Sequence, residues 1–173
     1  MKLYYSKGSC SLASRIAMNE LGLDCKYESV DFKTNKTEGG IEYTTINPKG
    51  SVPALRLPEG ELLTEGAVIL QYLAESSPQG EAFMPRETGL PRYRVLEKLN
   101  FIASDLHKTV GIFFSPAIPN EIKSSVLRPR LDKVMDYVEK ELSHQTCFTG
   151  ANYTFVDTYL FVILSWLPYI EID

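Results

Sequence analysis

Short alternating runs open the chain and give way, before its midpoint, to helical stripes. Lys2-Leu3-Tyr4-Tyr5 is a brief β-prone run that Gly8 breaks. Ser9 to Gly22 carries Ala13, Ile16, Ala17 and Leu21 on one face, which predicts a helix with Gly22 at its C-cap. Tyr27 to Phe32 reads as a second strand, and Asn47-Pro48-Lys49-Gly50 as a turn. Val52 to Leu57 reads as a strand entered through a proline. Pro58-Glu59-Gly60 turns it into the return strand Glu61-Leu62-Leu63. Thr64 is the expected cap of a helix running to about Ala74. The strand–helix–strand order implies a parallel pair and the hairpin adds antiparallel strands, so a small mixed sheet with helices packed on it is expected.

Ser76-Ser77-Pro78-Gln79-Gly80 is a linker by composition, and beyond it the alternation stops. Val95, Leu99, Ile102, Leu106 and Val110 form one stripe of a long amphipathic helix. Val134, Val138 and Leu142 form a second, with Pro129 starting or kinking that helix. Thr154-Phe155-Val156-Asp157 resembles a capping box with Asp in place of Glu. The helix it opens, to Leu167, is apolar nearly all round and is therefore expected to be buried. The fold class that follows is an α/β N-terminal domain over 1–77 and an all-α domain over 87–173.

Composition narrows the partners. The 173 residues carry a net charge of −4, with 44% hydrophobic and 23% charged residues, which are ordinary globular fractions. The charge is spread over both halves and neither holds a basic block, which argues against a nucleic-acid partner. The longest apolar stretch, Tyr159 to Leu167, falls far short of the ~18 residues of a membrane helix. No apolar run follows Met1, so no secretory signal is expected. Cys10, Cys25 and Cys147 are an odd, widely spaced set, neither a disulfide framework nor a zinc site, and they suggest a reducing, cytoplasmic compartment.

Four places carry candidate chemistry. Gly8-Ser9-Cys10-Ser11 puts a cysteine at a helix N-terminus, where open N–H groups and the helix dipole favour a thiolate. Ser9, Ser11 and Tyr5 can add hydroxyl hydrogen bonds; the plainer reading is a small residue in a tight turn. No second cysteine follows three residues on, so any redox role needs an outside thiol. Val52-Pro53 is a plausible cis-proline beside a strand edge open to a peptide-like ligand, or an ordinary turn proline. Glu65 and the Gly66 N–H suit the ammonium and carboxylate of an α-amino acid, although a first-turn glutamate is commonly only a dipole partner. Asn100, Ser104, His107 and Lys108 share one helix face, which lines a cleft or is merely a solvated flank. His144 reads as surface, and Cys25 and Cys147 as structural.

These features together resemble a bacterial glutathione S-transferase of the cysteine-containing beta class. The likeness rests on the MKLYYSKGSCSL start, the NPKGSVPAL run at 47–55, and the LLTEGAVILQYLAE run at 62–75. It also rests on the helix bearing Asn100, Ala103, Ser104, His107 and Lys108, and on TFVDTYLF at 154–161. It implies a thioredoxin-like glutathione-binding domain, an all-helical second domain, and a homodimer. Cys10 is then expected to face the glutathione sulfur, with Tyr5 and Ser11 nearby. Val52 pairs with the peptide backbone ahead of Pro53, and Glu65 and Gly66 hold the γ-glutamyl end. Asn100, Ser104, His107 and Lys108 close the site from the helical domain. Thr154 and Asp157 have a structural role, and Trp166 with Phe113 or Phe114 forms an apolar acceptor pocket. Where the family often has a lysine this chain has Asn35, so Lys33 or Lys36 is expected to take the glycyl carboxylate. The family also continues through further C-terminal helices beyond Asp173, whose loss would expose apolar surface on the helix carrying Tyr159 to Leu167.

The expected reaction joins the glutathione thiolate, as co-substrate, to a small hydrophobic electrophile. Two alternatives stay open: a glutaredoxin-like thiol transferase using Cys10, and a non-catalytic glutathione-binding protein.

Overall fold

A computed structural model describes residues 1–172, which divide into two compact units, 1–86 and 87–172. The first is a five-stranded sheet with two helices. The strands are β1 (Lys2–Tyr5), β2 (Lys26–Asp31), β3 (Lys36–Thr37), β4 (Ala54–Arg56) and β5 (Leu62–Thr64), in the order β3-β2-β1-β4-β5. β1 runs parallel to β2, and the other pairs are antiparallel. Helix α1 (Ser11–Glu20) makes the crossover between the parallel pair, and α2 (Gly66–Glu75) follows the hairpin. This is the expected thioredoxin-like arrangement, with β3 as an added short edge strand that the sequence pattern did not announce.

The period-two alternation of β1 decides what lies on each side of the sheet. Tyr4 clusters with Val30, Tyr43, Val52 and Ala54 on one face. Leu3, paired in register with Leu55, is left to the opposite face, and both are fully buried. Helices α1 and α2 pack on each other and bury Ala13, Ala17, Met18, Ile69, Leu70 and Leu73. Gly22, at φ +61°, closes α1: its N–H donates to the Asn19 carbonyl and the Leu23 N–H to that of Met18, the paired bonds of a Schellman ending.

Two expectations need correction. Thr64 ends β5 and does not cap α2; the capping position is Glu65, at φ +71°. The Ser76–Gly80 stretch is no loose linker. It forms a single 3-10 turn, Pro78–Ala82, inside the first unit, with Gly80 buried and the Arg86 guanidinium bonded to the Ala74 and Ser77 carbonyls. A Cβ on Gly80 would stand 1.8 Å from the Ala74 oxygen, so the close approach of backbone to backbone requires glycine there.

The second unit is helical: α3 (Leu90–Phe101), α4 (His107–Gly111), α5 (Asn120–Ile122), α6 (Arg128–Leu142) and α7 (Phe155–Leu164). A π-helical turn, Ile102–Leu106, joins α3 to α4 in one continuous helix. The stripe Val95, Leu99, Ile102, Leu106 and Val110 is buried throughout. Its later four-residue steps drift off the face of a regular helix of 3.6 residues per turn, and the wider turn takes up that drift. A second π turn, Lys123–Leu127, precedes Pro129 in the first turn of α6, where the missing proline N–H leaves a carbonyl of the previous turn to be re-bonded. The capping box is present: the Thr154 hydroxyl accepts from the Val156 N–H, and Asp157 accepts from the Thr154 N–H at 2.8 Å. Helix α7 ends at Leu164, short of the expected Leu167, and is mostly buried as expected, with Asp157 and Leu164 half-buried and Phe161 61% exposed.

Candidate active site

The loop after β1 is tied by its serines. The Ser9 and Ser11 hydroxyls lie 2.6 Å apart, Ser9 Oγ donates to the Ser6 carbonyl, and Ser11 Oγ accepts from the Ser6 N–H. Gly8, at φ +73°, makes the turn this requires. The network delivers Cys10 to the N-cap of α1 without using its thiol as the cap. The Cys10 Sγ instead lies 3.4 Å from the Val52 carbonyl oxygen. Ser11 is fully buried, its hydroxyl committed to the loop. The Tyr5 ring meets Tyr27 edge-on, with the Arg15 guanidinium over both.

The Val52–Pro53 bond is cis. Its approach is set by the preceding carbonyl: Ser51 O accepts from the Tyr43 hydroxyl and from Asn47 Nδ2, each at 2.8 Å. Burial pushes the Tyr43 phenol above its ordinary range, so it stays a donor. Asn47, 1% exposed, thus does more than make a turn, and its dual bonding was not visible in the NPKG signal.

At the start of α2, the Val68 and Ile69 N–H groups return to the Glu65 carbonyl. Gly66 and Ala67 stand in the first turn of α2, where a helix N–H has no intrahelical partner. Glu65 is held in a backbone region that non-glycine residues rarely adopt. Such strain costs about 1–3 kcal/mol and clusters at ligand-holding sites. The Glu65 carboxylate takes the Lys49 ammonium at 2.6 Å in an exposed pair, and Lys49 also reaches Thr64 Oγ1. Lys49 was missed in the sequence, where it stood inside a turn cluster. At the far edge, Asn35 is in the left-handed region and its amide donates to Glu42, while Lys36 sits exposed on β3. Lys33 is exposed in the turn between β2 and β3.

In the helical unit, Asn100 and Ser104 are exposed on one flank, with Ser104 Oγ bonded back to the Asn100 carbonyl. Lys108 is exposed and His107 half-buried. The His107 Nδ1 lies 2.8 Å from the Tyr159 hydroxyl, and its ring meets Trp166 edge-on at 5.1 Å. Phe114 also meets Trp166 edge-on, at 5.9 Å. Burial, with the Lys108 charge second, pushes the His107 imidazole down to about 4, so it is neutral at pH 7. His107, Lys108, Gly111 and Ile112 line a cleft of about 420 Å³. Among the described residues no cluster of His, Cys, Asp and Glu is arranged to hold a metal ion, and no helix is long and apolar enough to cross a membrane.

The chain is similar to known proteins over its whole length. Residues 8–76 match the family model of the glutathione S-transferase N-terminal domain, and residues 101–173 that of the C-terminal domain. The chain is 42% identical to glutathione S-transferase GstA of Escherichia coli O157:H7, over 100% of its own length and 85% of that protein's. It is similar to a sphingomonad glutathione S-transferase solved with glutathione (40% identity, TM-score 0.94, covering 100% of this chain and 85% of that one). It is likewise similar to the bacterial beta class enzyme of Sphingomonas chungbukensis (39% identity, TM-score 0.94, with the same coverage).

Proposed function

The chain belongs to the glutathione S-transferase family, and from that premise we propose that it joins the glutathione thiolate to small apolar electrophiles. The observation that carries this is the Cys10 thiol at the α1 N-terminus, 3.4 Å from the Val52 carbonyl. A sulfur anion brought beside Cys10 meets a thiol donor and the positive end of a helix dipole. The Val52 backbone offers an extended peptide a strand-like partner. Glu65 and the first-turn N–H groups of Gly66 and Ala67 match an ammonium and a carboxylate on one α-carbon. These residues fit glutathione by chemistry, and Lys36 supplies a cation for its glycyl end.

In the reaction the glutathione thiol gives its proton to solvent, and the thiolate pair forms the new C–S bond. With an aryl chloride, chloride leaves with the electrons of the broken C–Cl bond. The protein's part is to favour the anion and to align the reactants. Tyr5, Ser11, Asn100, Ser104, His107 and Lys108 are proposed as further contributors, Tyr5 and Ser11 by shaping the Cys10 loop. Trp166 and Phe114 supply apolar surface for the electrophile. We further assign the protein to the cytoplasm, in keeping with three cysteines outside any disulfide, and to a homodimer, to be read by light scattering. The assay is conjugation of glutathione to a chlorodinitrobenzene. No turnover by folded protein that binds glutathione in a calorimeter would overturn the transferase reading.

One observation favours a second activity. The Cys10 thiol is only partly buried and is not bound in a disulfide, so it can attack a mixed disulfide and carry glutathione on its own sulfur. The Cys10 thiolate attacks the glutathionyl sulfur and the substrate's other sulfur leaves as a thiolate; a second glutathione thiolate then attacks the same glutathionyl sulfur, forming glutathione disulfide and freeing the Cys10 thiolate. Cys10→Ser with a disulfide substrate tests it: unchanged reduction removes this activity.

A further inference from the structure

We propose that Tyr159 is a positioning residue: its hydroxyl donates to His107 Nδ1 and holds the ring as the Nε2–H tautomer, so that an N–H donor is presented to the adjoining cleft. This rests on the reading above in taking His107 as a residue that meets the ligand.

The two side chains come from α7 and α4, 52 positions apart in sequence, yet lie within the same helical unit at 2.8 Å. The direction of the bond follows from relative strengths. A phenol O–H is a stronger donor than a neutral imidazole N–H, and a bare ring nitrogen is a stronger acceptor than a phenol oxygen. Which nitrogen keeps the proton is set by the bond the other one makes. With the Tyr159 hydroxyl donating to Nδ1, the ring proton resides on Nε2.

The rest of the surroundings hold the ring beside the cleft. Trp166 meets the imidazole edge-on at 5.1 Å, and the Tyr159 ring does so at 5.9 Å. The Cδ2 carbon, bonded to Nε2, is the nearest atom to where a Cβ on Gly111 would stand, at 3.8 Å. Glycine one turn on therefore places no side chain against Cδ2, and both residues line the cleft of about 420 Å³. Among the described residues, Tyr159 is the hydrogen-bond partner of the ring, on Nδ1. The π turn ending at Leu106 sets the rotation at which His107 leaves the helix. The result is an uncharged donor aimed at an acceptor: a carbonyl, a nitro oxygen or a sulfur anion on the ligand.

The chain has two histidines, so its histidine ring ¹⁵N spectrum contains two sets of signals, and His144→Gln assigns them. In the intact, ligand-free protein we expect His107 to show Nε2 protonated and Nδ1 bare, and Tyr159→Phe to mix the two tautomers. In the conjugation assay Tyr159→Phe should lower kcat about tenfold while the KM for glutathione holds within about twofold. A protonated Nδ1 in the unaltered protein overturns the proposal, as does a Tyr159→Phe protein with the same tautomer and the same kcat. The spectrum is read without glutathione, so an unaltered protein that fails to conjugate sinks the transferase reading while the tautomer is still decided.

Discussion

Cys10 and Val52 stand 42 positions apart in sequence and meet sulfur to carbonyl at 3.4 Å. The contact joins the N-terminus of α1 to the segment entering β4, so one thiol lies both at a helix N-terminus and beside the backbone proposed to pair with a peptide. Removing it separates two chemistries. Cys10→Ala should abolish disulfide exchange, by at least a hundredfold or so, because no protein sulfur remains to attack. Conjugation should fall only about tenfold, the worth of one hydrogen bond to the anion. Steady-state assays with a glutathione mixed disulfide and with a chlorodinitrobenzene decide it. Equal losses in both would mean that Cys10 has a single role.

Glu65 combines a left-handed backbone with a carboxylate that holds Lys49. The exposed ion pair contributes little to folding, so the strain points to binding. Glu65→Ala and Glu65→Gly should both raise the KM for glutathione about tenfold or more, the cost of losing a charged hydrogen bond. They should differ in stability: glycine relieves the positive φ that alanine retains, leaving Glu65→Gly more stable by about 1 kcal/mol in urea unfolding. Equal stabilities would argue that the backbone at 65 relaxes freely.

The strands, the hairpin, α1 with its glycine stop and the capping box before α7 were legible because each rests on local chemistry. Leu3 and Tyr4 alternate, Gly22 takes a positive φ, and Thr154 bonds three residues ahead. What was not legible depends on distant partners. Asn47 looks like a turn residue until Ser51 O is seen to need two donors. Lys49 and Tyr159 carry no local signal, since their partners Glu65 and His107 lie 16 and 52 positions away. Thr64 was misread as a cap because threonine favours that position, whereas the ladder with Ala54 holds it in β5. Ser76–Gly80 was misread as a linker because composition cannot report that a glycine is packed against a helix end.

Protonation of His107 should register in stability. Burial lowers its pKa to about 4 from an ordinary 6.5, with Lys108 adding to the effect. The folded protein therefore binds this proton less readily than the unfolded chain. The stability from the neutral ring is complete above pH 6.5 and is lost as pH falls from there through 4. The difference is on the order of 3 kcal/mol. Urea unfolding at pH 7 and pH 4 should show the unaltered protein losing that much more than His107→Gln, while His144→Gln, altered at an exposed site, keeps the full loss. Parallel losses in all three would place the acid sensitivity elsewhere.

Asp157 gathers the backbone N–H of Thr154 at 2.8 Å and of Phe148 at 2.6 Å, and the Thr154 hydroxyl at 3.0 Å. One carboxylate thus starts α7 and fastens the preceding loop to it. Asp157→Ala should cost about 3 kcal/mol or more, since two part-buried N–H donors lose their acceptor together. Thr154→Ala should cost about 1 kcal/mol, the usual worth of a cap. Equilibrium unfolding of the two variants gives the ratio; equal costs would mean that the Phe148 contact is inconsequential.

The turn at Gly80 offers a steric test. Its φ is not in the left-handed region, so an added methyl brings no backbone strain of its own, only the collision with the Ala74 carbonyl at 1.8 Å. That carbonyl is also an acceptor for Arg86, so displacing it loosens the end of α2 and the segment that closes the first unit. Gly80→Ala should therefore destabilise the protein by about 2–3 kcal/mol, in the range of other overpacked sites. Gly40→Ala is the control: its φ of +82° is strained for alanine but nothing lies within 4 Å, so it should cost only about 1 kcal/mol. If Gly80→Ala unfolds at the same denaturant concentration as the unaltered chain, the 78–82 turn is free to move, as a linker would be.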